Sequence, residues 1–315
     1  MSTDPTKQQR APTIVEKRLV EARAEIVARV WGDYDAVFNH AVLCAVGLPY
    51  RRLPDDQRSF SRSSGGVSLR IEAGAVPAPG APGGFREIGL PYGPRARLLL
   101  LHLCSQAVKQ QSPTIEVAHS FTAFAKSLGL STNGQNLRSL RDQVSRMSVV
   151  SMRFSRATAN YVDVFQGQVF SKLRAEYPGN EAQLSLWKSY VEFSPEFYDS
   201  LVQHAVPLRE EAIGALKHSA RALDIYSWLA HRLWRVSGKS VSIKWTSLRF
   251  QFGQPEHDMR SFKRAFKTAL KQVLVVYPEA RVELISGGLR LYKSPPPVAQ
   301  TKTVVLGSFP KLGRS

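Results

Sequence analysis

The spacing of apolar residues along the chain predicts a mixture of amphipathic helices and short strands. Apolar residues that recur every three or four positions predict helices, and runs of β-branched and aromatic residues between turn signals predict strands. The predicted helices cover 13–31, 95–110, 120–129, 135–147, 219–236, 245–253 and 258–276. The predicted strands cover 114–117, 149–154, 161–173, 184–193, 241–243, 280–285 and 288–292.

Residues 51–88 break this regular pattern, because they are rich in Arg, Ser, Gly and Pro. Within them, 74–84 consist mostly of glycine, alanine and proline, which interrupt helices and central strands. We therefore expect a flexible connection between the first helix and the main body. The predicted fold is α+β, with an N-terminal helical and flexible region, two folded domains and a loose C-terminal tail, at 1–87, 88–195, 196–297 and 298–315.

The two predicted domains share one order of elements: helix, strand, helix, turn, helix and two strands. This is the order of a winged helix, in which a helix-turn-helix is followed by a β-hairpin. Arg138-Ser-Leu-Arg141 in the first domain corresponds to Arg260-Ser-Phe-Lys263 in the second, and Gly129 and Gly253 close the helices before them. The shared order and the matching residues predict two tandem winged-helix domains.

Positive charge is concentrated in the regular part of the chain. The formal net charge is +18; residues 1–88 hold 12 Lys and Arg against 10 Asp and Glu, whereas 89–315 hold 31 against 15. A basic folded domain commonly binds a polyanion, and nucleic acid is the most frequent one. The alternative is a protein that its charge merely keeps soluble.

The helix predicted over 258–276 has the two faces that a DNA-reading helix needs. Phe262, Phe266 and Leu270 fall on one face, which suits docking on a core. Long cationic side chains fall on the other face, where they reach DNA phosphates. These predicted contacts are Arg260, Lys263, Arg264, Lys267 and Lys271. A basic helix face that is simply solvated is the alternative.

The corresponding helix of the first domain offers side chains that suit base recognition. Gln and Asn pair with adenine through two hydrogen bonds, and Arg pairs with guanine in the same way. The predicted contacts are Gln135, Asn136, Arg138, Ser139, Arg141 and Arg146. Arg153 follows on the first strand of the predicted wing, where it either touches the DNA backbone or is an ordinary strand-surface charge.

The chain lacks the residue patterns of common catalytic and metal sites. Gly238-Lys239-Ser240 resembles the end of a phosphate-binding loop, but Leu233 stands where that loop needs glycine. The seven histidines form no His-x-His pair, so the ligands of a metal-dependent nicking site are missing. Two cysteines, Cys44 and Cys104, lie in apolar surroundings and are expected to be buried thiols. We therefore expect a protein that is not an enzyme and has no metal or cofactor.

The location of the protein follows from two further features of the sequence. No run of 18 apolar residues occurs, so we expect no membrane-spanning helix and no membrane partner. Residues 1–10 are polar and contain no signal-peptide core. The expectation is a cytoplasmic protein.

Short sequence blocks spread over residues 85–297 resemble a known family. The blocks include Ile88-Gly-Leu-Pro-Tyr-Gly93, Phe124-Ala-Lys-Ser-Leu-Gly-Leu130, Ala222-Leu-Asp-Ile-Tyr-Ser-Trp-Leu-Ala-His-Arg-Leu233, Phe250-Gln-Phe-Gly253 and Gly288-Leu-Arg-Leu291. They resemble the plasmid-encoded RepA replication-initiator family, in its conserved C-terminal domain.

The resemblance implies an initiator that binds repeated sequences (iterons) in double-stranded DNA at a plasmid origin. Such proteins open the duplex, recruit the host helicase and initiator proteins, and control copy number through their own promoter or by pairing two origins. The runner-up is a winged-helix transcriptional repressor or partition regulator; a catalytic replication protein and an RNA-binding protein are further alternatives. The repeat sequence and the choice between monomer and homodimer stay open, because the helix at 13–31 suits either self-association or covering the first core.

Overall fold

Helices and strands alternate through the computed structural model, which describes residues 11–29, 36–117, 120–157, 162–174, 190–254 and 258–298. The helices are α1 (Ile14–Ala28), α2 (Ala41–Ala45), α3 (Gly93–Gln110), α4 (Phe121–Ser127), α5 (Gly134–Val149), α6 (Pro195–Gln203), α7 (Glu210–Leu216), α8 (Ala220–Arg232), α9 (Trp245–Phe252) and α10 (Met259–Val276). The strands are β1 (Ala36–His40), β2 (Ser59–Ser64), β3 (Val67–Glu72), β4 (Ala75–Pro77), β5 (Phe85–Glu87), β6 (Thr114–Glu116), β7 (Ser151–Ala157), β8 (Val162–Gln168), β9 (Phe170–Arg174), β10 (Tyr190–Phe193), β11 (Ala205–Arg209), β12 (Val241–Lys244), β13 (Val282–Ile285) and β14 (Gly288–Leu291). This is an α+β fold, as predicted.

Short polar side chains fix where the main helices begin. Ser120 accepts a hydrogen bond from the Ala123 amide at the start of α4. Asn133 caps α5 and Asp258 caps α10 in the same way. These caps satisfy amides that have no partner inside the helix, so the predicted starts lie within a residue or two of the observed ones.

The flexible connection predicted for residues 51–88 is wrong. Strands β2 and β3 form a hairpin that pairs with β7, giving an antiparallel sheet of order β2-β3-β7-β8. Gly65 and Gly66 both have positive φ, as the type I′ two-residue hairpin turn requires. Leu69 and Ile71 alternate with polar residues and are buried against the rest of the molecule. Burial of this apolar face explains why the segment folds despite its Gly- and Ser-rich surroundings.

In addition to the β4–β5 hairpin, the strands of the described residues form three further small sheets. They are β1-β11, β6-β10-β9 and β12-β14-β13, and all their pairs are antiparallel. The sequence pattern missed β1, α2, α6, α7 and β11, which are short elements of five to nine residues. Part of the strand predicted over 184–193 lies outside the described residues, and 190–193 forms β10.

Two hydrophobic cores lie on either side of α3. Leu99 and Leu103 point into the first core, with α5, α6 and the β2-β3-β7-β8 sheet. Leu98 and Leu101 point into the second core, which gathers α1, α7, α8, α9, α10 and β14. One helix therefore supplies its opposite faces to both cores, which ties them into one packed body.

Helix α1 covers the second core and not the first, so one of the two roles that the sequence left open for it, covering the first core, is wrong. Leu19, Ala22 and Ile26 are buried in that core, and α1 packs against α7 and α10. Arg23 Nη1 donates to the Val275 carbonyl at 3.2 Å, and Arg29 pairs with Glu211. The inner face of α1 is thus already occupied within this chain.

A buried ion pair connects α3 to α8. The Arg97 guanidinium holds the Asp224 carboxylate through two hydrogen bonds of 2.6 and 2.8 Å. Its other N–H groups donate to the carbonyls of Leu48, Pro49 and Gly93. Both side chains are more than nine-tenths buried. The pair is therefore well compensated, and it holds the segment before β2 between the two helices.

Two more hydrogen bonds join the N-terminal segment to α9 and to Gly253 directly after it. Arg62 on β2 is buried, and its Nη2 donates to the Gly253 carbonyl at 2.8 Å. Gln251 Nε2 donates to the Ala45 carbonyl at 2.7 Å. Residues before position 88 therefore contact both cores.

The residues that lead into the predicted loose tail are held in place, and only the first tail residue, Val298, is described. Tyr277 donates from its hydroxyl to the Pro295 carbonyl at 2.6 Å, and Val298 is buried. Residues 299–315 lie outside the described part of the chain. Cys44 and Cys104 are both buried and free, as predicted.

Candidate nucleic-acid interface

Helix α10 separates its apolar and cationic residues onto opposite faces. Phe262, Phe266, Leu270 and Val273 are buried in the second core. The cationic face forms a shallow open groove of about 690 Å³. Among the described residues its lining holds five cations and no carboxylate: Arg260, Lys263, Arg264, Lys267 and Lys271. All five predicted residues of this helix therefore share one surface that suits a polyanion.

Two of these lysines are positioned by an aromatic ring. The Nζ atoms of Lys263 and Lys267 lie 5.5 and 5.8 Å from the centre of the Trp245 ring. Trp245 is buried, as predicted, and its indole N–H donates to the Ser286 carbonyl at 3.2 Å. A cation above an aromatic face is weakly attracted to it, so the ring restrains both ammonium groups at the edge of the groove.

The hairpin after α10 is stabilised by a polar cluster on its surface. Glu283 on β13 accepts from Arg290 at 3.1 Å and from the Tyr292 hydroxyl at 2.7 Å. The hydrogen bond from Tyr292 and the charge of Arg290 lower the pKa of Glu283. These contacts pin β13 to β14, so the turn at Ser286 and Gly287 stays exposed at a fixed place beside Trp245.

Helix α5 exposes part of its predicted contact set. Gln135, Arg138 and Arg141 are exposed, whereas Asn136 and Ser139 are half-buried. Asn136 accepts from Arg95 and donates to Ser131. Its amide is thus occupied within the protein. The outward side chains are the ones placed to meet a ligand.

Arg146 is turned into the protein, so its placement does not agree with the predicted DNA contact. Its side chain is 7% exposed and pairs with Asp142 at 2.8 Å. Its Nη1 donates to the Leu90 carbonyl, and its Cζ lies 5.2 Å from the Tyr92 ring centre. The cause is the i, i+4 spacing to Asp142, which draws the guanidinium back along the helix to the segment before α3.

Arg153 is exposed on β7 and lies directly opposite Arg70 on β3. Glu72 stands between their charges: Arg70 Nε lies 2.7 Å from one carboxylate oxygen, and Arg153 Nη2 lies 4.0 Å from the other. The hydrogen bond from Arg70 lowers the pKa of Glu72. One carboxylate thus offsets two arginines, and this face of the sheet keeps a positive excess.

Sequence reasoning missed a second group of arginines. Arg52, Arg58 and Arg86 line a cleft of about 440 Å³ together with Arg138 and Arg141 of α5. The signal was present, since residues 51–62 hold four of the 12 cations before position 89. The Gly- and Pro-rich composition of the same segment predicts a linker, which hides this cationic surface from a reading of the sequence.

The described residues contain neither a candidate metal cluster nor a bilayer-length helix. No three His, Cys, Asp or Glu side chains in this part of the chain come together in a way that would hold a metal ion. None of the helices in the same part combines enough length with enough apolar character to cross a membrane.

The α+β fold presents cationic side chains on two helices, α5 and α10. The chain is therefore a basic protein with surfaces that suit a polyanion. The chain belongs to the family of plasmid-encoded RepA proteins, because the sequence model of that family matches residues 90–247. The family resemblance in the sequence is thereby confirmed.

Two solved structures are similar to this chain. One is a crystal structure of domains 2 and 3 of RctB, as a selenomethionine derivative, with a TM-score of 0.47 at 12% sequence identity. The aligned region covers 89% of this chain and 99% of the RctB chain. The other is a crystal structure of RctB domains 2–3, with a TM-score of 0.46 at 11% sequence identity. The aligned region covers 80% of this chain and 95% of the RctB chain. No curated protein matches the chain.

Proposed function

We propose that this protein initiates plasmid replication by binding repeated sequences in duplex DNA at the origin. Membership of the RepA family supports the initiator role. The observation that carries DNA binding is the groove along α10, with five cations and no carboxylate among its described lining residues. Phosphate contacts supply most of the affinity of such proteins, so this surface is suited to the duplex backbone.

Two winged helices are the architecture that we propose for this binding. The first consists of α3, β6, α4, α5 and the β7–β8 hairpin, and the second of α8, β12, α9, α10 and the β13–β14 hairpin. Pairing of β12 with β14 beside the helices supports this interpretation of the second unit. In such units the last helix of the three enters the major groove, and the hairpin lies along the backbone.

The two helices have different side chains, and we propose different roles for them. Gln135, Arg138 and Arg141 on α5 have the donors and acceptors that recognise base edges. The lysine-rich face of α10 suits phosphates, which position a protein without specifying sequence. Two units on one duplex predict a site of about 20 base pairs, because successive major-groove segments lie about one helical turn apart.

The same proposal includes partners and excludes catalysis. Bound to the origin in the cytoplasm, the protein helps open the duplex, brings in the host helicase and initiator proteins, and limits copy number; it needs no cofactor and is not an enzyme. A winged-helix repressor or partition regulator is the second candidate, because the basic surface serves it equally well.

Two experiments test the proposal. First, binding of the purified protein to duplex from its own replicon is compared with binding to scrambled duplex across a salt series. We expect preferential binding to the native duplex and a footprint of about 20 base pairs. Equal binding to both duplexes that disappears with salt contradicts specific recognition. Second, the gene is deleted from a plasmid that carries the native repeats: loss of replication supports the initiator, and continued replication favours the regulator.

A further inference from the structure

The segment that precedes α3 forms one wall of a cleft beside α5. The α5 wall contains Arg138, Arg141 and Ser145, and the opposite wall contains Arg52 and Arg86. Arg86 lies on β5, the second strand of the β4–β5 hairpin, and is exposed. The cleft therefore has cationic side chains on both walls, and one wall belongs to the region before position 88.

Arg58 fixes the base of the β4–β5 hairpin. Its guanidinium donates to the carbonyls of Ile88 and Gly74, both at 3.0 Å, and pairs with Glu87. Gly74 meets the end of α5 so closely that a Cβ atom there would lie 2.2 Å from the Val149 carbonyl oxygen. The hairpin is thus anchored at its base, while residues 79–80 and 82–87 are exposed.

Arg146 forms the floor of the cleft. Its Nη1 donates to the Leu90 carbonyl. The same Nη1 atom lies so close to Gly89 that a Cβ atom added to this glycine would be only 2.5 Å from it, so the backbone rests directly on the guanidinium. Together with the pair to Asp142, this contact keeps Arg146 buried and sets the distance between α5 and the opposite wall.

The cleft has an excess of positive charge. Its described lining contains six arginines and three carboxylates. Each carboxylate already pairs with one of these arginines: Asp55 with Arg52, Glu87 with Arg58 and Asp142 with Arg146. Arg86 and Arg138 have no carboxylate partner among the described residues, which leaves them available to an anion.

We propose that Arg86 on the β4–β5 hairpin holds backbone phosphates of the duplex strand that runs beside α5. This inference rests on the proposed DNA-binding function. The major groove is about 12 Å wide and a helix with its side chains is about 10–12 Å across, so phosphates must lie along both flanks of a helix in the groove. The hairpin stands at one flank of α5, and Arg86 faces the same cleft as Arg138.

The test replaces Arg86, whose side chain is exposed, so that its removal leaves no cavity in a core. Arg86→Ala is compared with Arg86→Lys and with Lys17→Ala, which removes one exposed cation from α1. Binding to native and scrambled duplex is measured across a salt series, and phosphate ethylation interference maps the contacts. For Arg86→Ala we expect about fivefold weaker binding to both duplexes and a salt slope smaller by about 1. Interference should disappear at one or two adjacent phosphates, and Arg86→Lys should restore most of the affinity.

Each outcome separates this inference from the function on which it rests. If Arg86→Ala behaves like Lys17→Ala while the wild-type protein still prefers native duplex, the hairpin contact is wrong and the function stands; a cleft for an acidic peptide of a host protein is then favoured. If Arg86→Ala changes preference at a single base pair without altering the salt slope, the hairpin reads bases and the phosphate contact is wrong. If the wild-type protein shows no preference for native duplex, the proposed function itself fails.

Discussion

Removing two exposed cations from α10 should weaken DNA binding without unfolding the protein. Arg264 and Lys271 are suited to this test, because both are exposed and neither lies over the Trp245 ring as Lys263 and Lys267 do. Alanine is the best helix former, so Arg264→Ala and Lys271→Ala keep the helix intact. A thermal melt that matches the wild-type melt confirms this.

The size of the effect follows from counterion release. The slope of log K against log salt falls by about 0.9 for each phosphate contact removed, or by about 1.8 for the pair. Between 50 and 200 mM salt the wild-type protein should therefore lose about 12-fold more affinity than the double variant does. Fluorescence anisotropy with labelled native and scrambled duplex measures both slopes.

The control is Lys17→Ala, which lowers the net charge by one on a helix outside the α10 groove. A double variant with an unchanged salt slope, or with a change per charge no larger than that of the control, would refute backbone contact by α10. A loss of affinity for native duplex alone would also contradict it, because phosphate contacts do not discriminate between sequences.

Four further outcomes are expected. Arg138→Ala should relax the preference at one base pair by about 1–3 kcal/mol, measured by competition with single-substituted duplexes; an unchanged profile argues against base contact. Asp224→Asn should lower the free energy of unfolding by about 3–5 kcal/mol in denaturant titration, because it leaves the buried Arg97 without its counter-charge; a cost below about 1 kcal/mol would mean that the pair is dispensable. Leu69→Ala should cost about 2–5 kcal/mol if β3 belongs to the core, whereas a neutral result would restore the flexible linker. Burial lowers the pKa of His102 to about 4, so stability that is complete above pH 6.5 should fall as the pH drops towards 4, and His102→Gln should flatten this decline in pH-dependent melts.

Helices of the main body could be predicted because their signals are local. Ser120, Asn133 and Asp258 mark helix starts by their own hydrogen bonds, and the apolar period of α10 gives its buried face directly. The cationic face of α10 follows from the same period, so all five of its predicted residues line one groove.

The N-terminal sheet could not be predicted in the same way. Val67, Leu69 and Ile71 do alternate with polar residues, but three apolar positions among glycines and serines are a weak pattern on their own. Pairing with β7 supplies the burial that makes β3 a strand, and that partner is distant in sequence. The inward turn of Arg146 has a similar cause, since its contact with Leu90 depends on tertiary structure.

Pairing of β3 with β7 also decides when this protein can fold during its synthesis. Ile71 lies opposite Met152, so β3 leaves the ribosome about 80 residues before the strand that completes its sheet. At translation rates of about 5–20 residues per second, Leu69 and Ile71 stay uncovered for roughly 4–16 seconds. An exposed apolar strand edge is prone to pair with other chains during such an interval. The nascent chain is therefore most vulnerable to aggregation between the synthesis of residues 72 and 157, and we expect slower translation over this stretch to lower the yield of folded protein.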